Sequence, residues 1–222
     1  LEETCQAVTR LLTGELVNFD GKHVHLRDCQ LLLPPSQRPP ISLGVIGPKG
    51  MQAIGRSADG VILSEFSSVE YIRWALDQID SERAAASNSF TPRVTVLQLA
   101  NIGSNQKDAI EPLLPLLQGA MLDKGNDPKL LPCGLMPLAH ACRAAYQAGT
   151  LGSDASLQAA LIEAAPRLTT VGDAADWNES ITSLSSAGVQ NLIITPMFST
   201  GQDPLQTLHA IARQLGLPPS RS

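Results

Sequence analysis

Several classes of partner are excluded by what this chain has little of. Its 222 residues carry 16 lysines and arginines against 21 aspartates and glutamates, a net charge of −5. There is no basic excess to neutralise a phosphate backbone, so nucleic acid is not an expected partner. No apolar run approaches the ~18 residues that a membrane-crossing helix requires, so no membrane partner is expected either. The four cysteines, Cys5, Cys29, Cys133 and Cys142, form no C-x-x-C pair. They read as reduced thiols of a cytoplasmic protein, not as a disulfide framework. The Gly-x-Gly-x-x-Gly dinucleotide fingerprint and the Walker lysine motif are both missing. What is present is 43% apolar sequence, enough for one domain or a large part of one. A small molecule is the expected partner.

Metal chemistry is weakly signalled. His23 and His25 alternate on a predicted hairpin strand and would share a face, while Cys133, His140 and Cys142 cluster loosely. Zinc sites use tighter ligand pairs, so both groups read as structural and no metal is expected.

The remaining pattern alternates strands and helices. A helix is expected over Glu2 to Leu12, followed by the hairpin VNFDGKHVHL turning at Asp20 and Gly21, a pair favoured in two-residue turns. A proline-rich connector, Pro34 to Pro40, leads to a strand over Ile41 to Ile46. Further strands are predicted at Val61 to Ser64, Val94 to Ala100 and Asn191 to Thr195. Ser67 and Glu70 form a capping-box pattern for a helix running through Trp74 and Ile79. A long, mostly helical region from about Lys107 to Ala165 is interrupted by Pro112, Pro115, Pro132 and Pro137. Short runs such as VILS and NLIIT are apolar without alternation, the mark of parallel strands covered on both faces by helices. The fold class is therefore α/β, and the runs alone fit a barrel or an open doubly wound sheet equally.

The densest information lies in PPISLGVIGPKGMQAIGRSADGVIL, residues 39–63. The uncharged strand stops at Gly47, Pro48, Lys49 and Gly50, a break suited to a tight strand-to-helix turn. A helix starting there aims free backbone N–H groups beyond the strand's end, which is how proteins hold a phosphate. Pro48 lacks an N–H but fits the first helical position. The candidate donors are thus the amides of Gly47, Lys49 and Gly50 and the Lys49 ammonium, with glycines allowing close approach of an anion. The same four residues also serve simply to start a helix.

This segment resembles the fifth strand and following turn of the luciferase-like monooxygenases, flavin- and deazaflavin-dependent oxidoreductases that include bacterial luciferase and methylenetetrahydromethanopterin reductase. In that family the turn and helix lead to an A-D-G motif, here Ala58, Asp59 and Gly60. RLLTGELVNFDGKHV (10–24) resembles the helix end and hairpin ahead of strand five, and Glu70 to Asp77 the helix after strand six. TTVGDAADWNESITSLSSAGVQNLIITP (169–196) resembles the closing helix and last strand. The resemblance implies a (β/α)8 TIM barrel, of which strands five to eight and a helical insertion are present as one domain. Strands one to four are expected upstream of Leu1. It also implies FMN or the deazaflavin coenzyme F420 as cofactor, hydride transfer or oxygen activation on a small organic substrate, and, for an isolated half-barrel, self-association through open sheet edges.

By position at strand ends, the cofactor-binding residues implied are Gly47, Pro48, Lys49 and Gly50, joined by Ser64 after strand six. Glu65, Gln98, Asn101, Thr195 and Pro196 occupy similar ends but also read as ordinary loop or core residues. No catalytic residue is assigned, because part of the reacting set would come from strands one to four. The alternatives are a non-catalytic cofactor- or phosphate-binding fragment and, more remotely, an aldolase-type or open-sheet phosphate-binding protein.

Overall fold

The computed structural model describes residues 1–86, 91–103, 105–198 and 203–217. They fall into two compact units, Leu1–Ile62 with Ala75–Thr95, and Leu63–Trp74 with Val96–Ser222.

The first unit opens with α1 (Glu2–Leu12), whose Glu2 and Glu3 at the start and Arg10 in the last turn complement the helix dipole. A hairpin follows, β1 (Val17–Asp20) and β2 (His25–Cys29). Asp20 pairs with His25, so the connection is the four residues Gly21 to Val24 and not the predicted two-residue turn. The reason is tertiary: the Glu3 carboxylate accepts the amides of Lys22, His23 and Val24 at 2.9, 2.8 and 3.0 Å. His23 therefore lies in the loop, off the strand that carries His25, whose ring meets Asp20 at 2.8 Å. The two histidines do not share a strand face.

Next come β3 (Ser42–Gly44), α2 (Pro48–Ser57) and β4 (Gly60–Leu63). β3 and β4 are parallel, with Ser42 opposite Gly60 and Gly44 opposite Ile62. Asp59 ties the strand starts together. Its carboxylate accepts two bonds from Arg38, at 2.6 and 2.9 Å, and one from the Ile41 amide at 2.7 Å. Its backbone bonds to Ile41 and Arg93 at 2.8 and 2.9 Å. Gly60 follows because there is no room for more: a Cβ there would lie 2.5 Å from the Arg93 carbonyl oxygen. Gly55 of α2 is equally confined, with the Ile79 carbonyl oxygen 2.5 Å from a built Cβ.

Helix α3 (Val69–Ala85) and strand β5 (Arg93–Ile102) run from one unit into the other. The α3 cap is Ser68, whose Oγ accepts the Tyr71 amide at 3.1 Å, not the predicted Ser67. Ser67 instead donates to the Ser64 carbonyl at 2.6 Å. With two adjacent serines, the sequence pattern was one residue out of register.

In the second unit α4 (Gln106–Ile110), α5 (Leu114–Leu122), α6 (Asp127–Leu130), α7 (Met136–Gln147) and α8 (Ala155–Leu168) fill the region predicted to be helical. They close around Leu99, Ile110, Leu113, Leu117, Met121, Leu130, Leu161 and Leu168, all buried. Each such side chain contributes ~1.5–3 kcal/mol when fully removed from water. The short strand β6 (Thr170–Gly172) then pairs in parallel with β5, Ala100 opposite Thr170. Helix α9 (Ala174–Ser186) starts on a capping box made by Asp173 and Asp176. Its Trp177 is buried with Ala100 and Ile211. Strand β7 (Asn191–Pro196) also pairs with β5, and α10 (Pro204–Gln214) ends the described chain.

Candidate functional site

The turn between β3 and α2 belongs to the first unit. Gly47 is the N-cap in an extended conformation, Pro48 takes the first helical position, no side chain caps the turn and no acid sits in the first helical turn. No acid of the helix's own first turn therefore offsets its dipole at this end. The amides of Gly50 and Met51 both donate to the Gly47 carbonyl, at 3.1 and 3.2 Å. Of the three amides anticipated as donors, that of Gly50 is thus engaged inside the turn, leaving those of Gly47 and Lys49. The two glycines also differ. A Cβ on Gly47 would meet nothing within 4 Å, whereas one on Gly50 would strike the Val45 side chain at 2.6 Å. Gly50 is small for packing; the open side is at Gly47. An uncapped, acid-free helix start of this kind suits a phosphate.

Ser64 and Glu65 follow β4 and belong to the second unit. Lys129, from α6, brings Nζ to 2.8 Å from Ser64 Oγ and 2.8 Å from the Glu65 carbonyl oxygen. Lys129 is only 3% exposed. Among the described residues it has no carboxylate within ion-pair distance, and burial pushes its pKa down from the usual lysine value. Phe66, next in the chain, has φ of 63°, in the left-handed region, and packs against the helical core. A bulky residue held there stores strain that only surrounding contacts can maintain. The Ser67 bond to Ser64 and the Lys129 bonds are such contacts.

Gln98 and Asn101 lie on β5, buried at 2% and 0% exposure. Asn101 donates to the Ala109 carbonyl at 3.1 Å, and its own carbonyl accepts the Trp177 indole at 3.1 Å. The side-chain oxygens of both Gln98 and Asn101 are buried without a hydrogen-bond partner among the described residues. Gln98 borders a cleft of about 280 Å³ that also touches Thr169, Asp176, Glu179 and Ser183. Beside it, Arg167 is paired with Glu70 at 2.8 Å. That pair lowers the Glu70 pKa against an opposing push from burial, which is the larger single influence. Thr195 and Pro196 close β7, with no polar contact to Thr195 or Pro196 side chains among the described residues.

Sequence reasoning missed Lys129 altogether. In the stretch DPKLLP a lone lysine between apolar residues resembles a solvated helix side chain, and only its burial against Ser64 marks it. Among the described residues no group of three or more histidines, cysteines or carboxylates could hold a metal, and all four cysteines are free. No described helix is long and apolar enough to cross a membrane.

A parallel α/β sheet, strand-end glycine turn and helical insertion define a class of protein, and comparison identifies the family. Residues 1–216 match the luciferase-like monooxygenases, and the chain belongs to that family. Solved structures agree in fold. The coenzyme F420-dependent tetrahydromethanopterin reductase of Methanopyrus kandleri superposes with a TM-score of 0.71 at 19% identity, over 94% of this chain and 60% of that one. An F420-dependent secondary alcohol dehydrogenase, bound to an F420-acetone adduct, gives 0.61 at 16% identity over 87% and 54%. The oxygenating constituent of 3,6-diketocamphane monooxygenase from Pseudomonas putida, a type II Baeyer-Villiger enzyme in complex with FMN, gives 0.53 at 16% identity over 95% and 61%. The chain thus spans a little over half the length of each of these proteins. Its fold is the α/β type of the luciferase-like barrels, as the sequence resemblance implied.

Proposed function

We propose that a protein carrying this chain is an oxidoreductase that binds FMN or coenzyme F420 and acts on a small organic substrate. The observation that carries this reading is the uncapped start of α2, open at Gly47, in a member of a family whose solved relatives hold those two cofactors. In this reading Gly47 and Lys49 supply backbone donors to the cofactor's phosphate, Pro48 sets the helix start and Gly50 lets the turn close on Val45. The Lys49 ammonium adds a positive charge; Ser64, in the second unit, is a separate candidate contact to the cofactor. When bound, the ring system supplies the redox chemistry, as hydride transfer or oxygen activation. This chain's residues hold the anionic tail; the group that handles substrate protons is not assigned to any of them. Self-association as a homo-oligomer is part of the same proposal, checked by analytical ultracentrifugation.

The test is a fluorescence titration of the purified protein with FMN, riboflavin, coenzyme F420 and the phosphate-free deazaflavin chromophore. A phosphate site predicts that one phosphorylated ligand binds at least tenfold more tightly than its unphosphorylated counterpart, about the worth of one charge-assisted hydrogen bond. Lys49→Ala should erode that preference several-fold. Equal affinity for the paired forms would refute the phosphate site, and binding without turnover would favour a non-catalytic binding protein.

A further inference from the structure

Lys129 is a buried charged group outside the proposed cofactor contacts, and its surroundings are unusual. A lysine ammonium offers three donors and no acceptor. Two of its donors are engaged, by Ser64 Oγ and by the Glu65 carbonyl, both at 2.8 Å. Buried charges are ordinarily paired with an opposite charge, because removing an ion from water is costly. Here Asp127, the nearest acid in sequence on the insertion, pairs with Arg143, while Asp123, which with Glu65 acts on Lys129 only at longer range, accepts the Gly125 amide. No described carboxylate forms an ion pair with Lys129. The residue comes from the helical insertion and reaches 65 positions back to the carboxyl end of β4.

The direction of the bond to Ser64 has a consequence. Since ammonium only donates, Ser64 Oγ must accept, and its own O–H is left without an acceptor among the described residues. Ser64 is partly exposed. A hydroxyl that accepts from a cation and still has its proton to give is polarised to donate to an anion.

We infer that Lys129 is a positioning residue for phosphate binding: it fixes Ser64 as a hydrogen-bond donor and places a positive charge directly behind that hydroxyl, for a phosphate ester at the end of β4. The inference rests on the functional reading above, in which Ser64 is a cofactor contact, and concerns the second unit alone. It requires Lys129 to remain protonated in the ligand-bound protein, which an adjacent phosphate favours.

The same four ligands are titrated into Ser64→Ala, Lys129→Met and the double variant of the full chain. Lys129→Met keeps the buried volume and removes the charge; Ser64→Ala, a smaller change, carries the test should the first variant fold poorly. The expected result is a loss of about tenfold for the phosphorylated ligand in each single variant. Affinity for the unphosphorylated form should stay within about twofold, and the double variant should be no weaker than Lys129→Met. Equal weakening of both ligand forms would reduce Lys129 to a structural brace and overturn the inference, as would additive losses in the double variant or no loss in Lys129→Met. An unmutated protein that fails to distinguish the paired ligands would remove the functional reading itself, a failure visible before any variant is made.

Discussion

In the first unit, charged side chains hold backbone in place near the surface. Glu3 collects three loop amides, Asp59 binds Arg38 and the start of β3, and Arg56 bridges Glu2 and Glu82 at 3.1 and 2.8 Å. The second unit also has surface pairs, such as Arg143 with Asp127. It adds side chains at nearly full burial: Lys129 with no carboxylate at ion-pair distance, and Gln98 and Asn101 each with a side-chain oxygen lacking a partner among the described residues, whereas the first unit's one such atom among its described residues, Arg83 Nε, belongs to a partly exposed side chain that pairs with Asp80. The contrast separates two uses of polarity. Charges that clamp exposed loops are screened and individually worth little, so they are architectural. Incompletely satisfied polar groups in a well-packed helical core are costly, and they persist where a ligand or bound water completes them.

The contrast can be strained at the first unit's tightest backbone contact. Gly60→Val pushes a branched side chain into the Arg93 carbonyl, which belongs to a neighbouring strand and cannot move aside. A destabilisation of about 3 kcal/mol is expected, read from urea or guanidinium midpoints. A loss below about 1 kcal/mol would mean that the strand starts are less rigidly spaced than the Asp59 bonds imply.

A smaller effect comes from the clamp itself. The Arg38 guanidinium, which outweighs the opposing effect of burial, holds the Asp59 carboxyl below the usual aspartate range. A lowered folded pKa contributes stability that is present above the unfolded value of about 3.9 and is lost as pH falls through the folded value. Asp59→Asn should therefore cost about 1–2 kcal/mol at neutral pH. The gap from the unmutated protein should narrow as pH drops below about 4. A gap that stays constant to the acid limit would show that Asp59 acts through its shape and not its charge.

Much of the first unit was legible in the sequence, and less of the second. The runs Val61 to Leu63 and Val94 to Ala100, the latter passing into the second unit, announced buried strands because both faces are covered, and Ala58–Asp59–Gly60 was legible through the family resemblance, although its contacts run to distant Arg38 and Arg93. The hairpin turn was misjudged because Glu3, seventeen positions before Asp20, decides its length from outside the loop. The three residues of β6 are too short for any periodicity to appear. At the candidate site, Gly47 to Gly50 was visible as a pattern of residue types, but only coordinates distinguish the open Gly47 from the packed Gly50. Lys129 was invisible because its role depends on a partner 65 positions away.

The smallest expected change in stability belongs to the substitution that bears most on function. Gly47→Asp places a carboxylate where a Cβ meets open space and where the helix has no side-chain cap. It should stabilise α2 by a few tenths of a kcal/mol through capping and the dipole. The decisive measurement is the affinity of this variant for the phosphorylated and phosphate-free forms of the cofactor. The account predicts that the preference for the phosphorylated form disappears while the melting temperature holds or rises; a variant that is equally stable and retains the full preference would contradict a phosphate held at the start of α2.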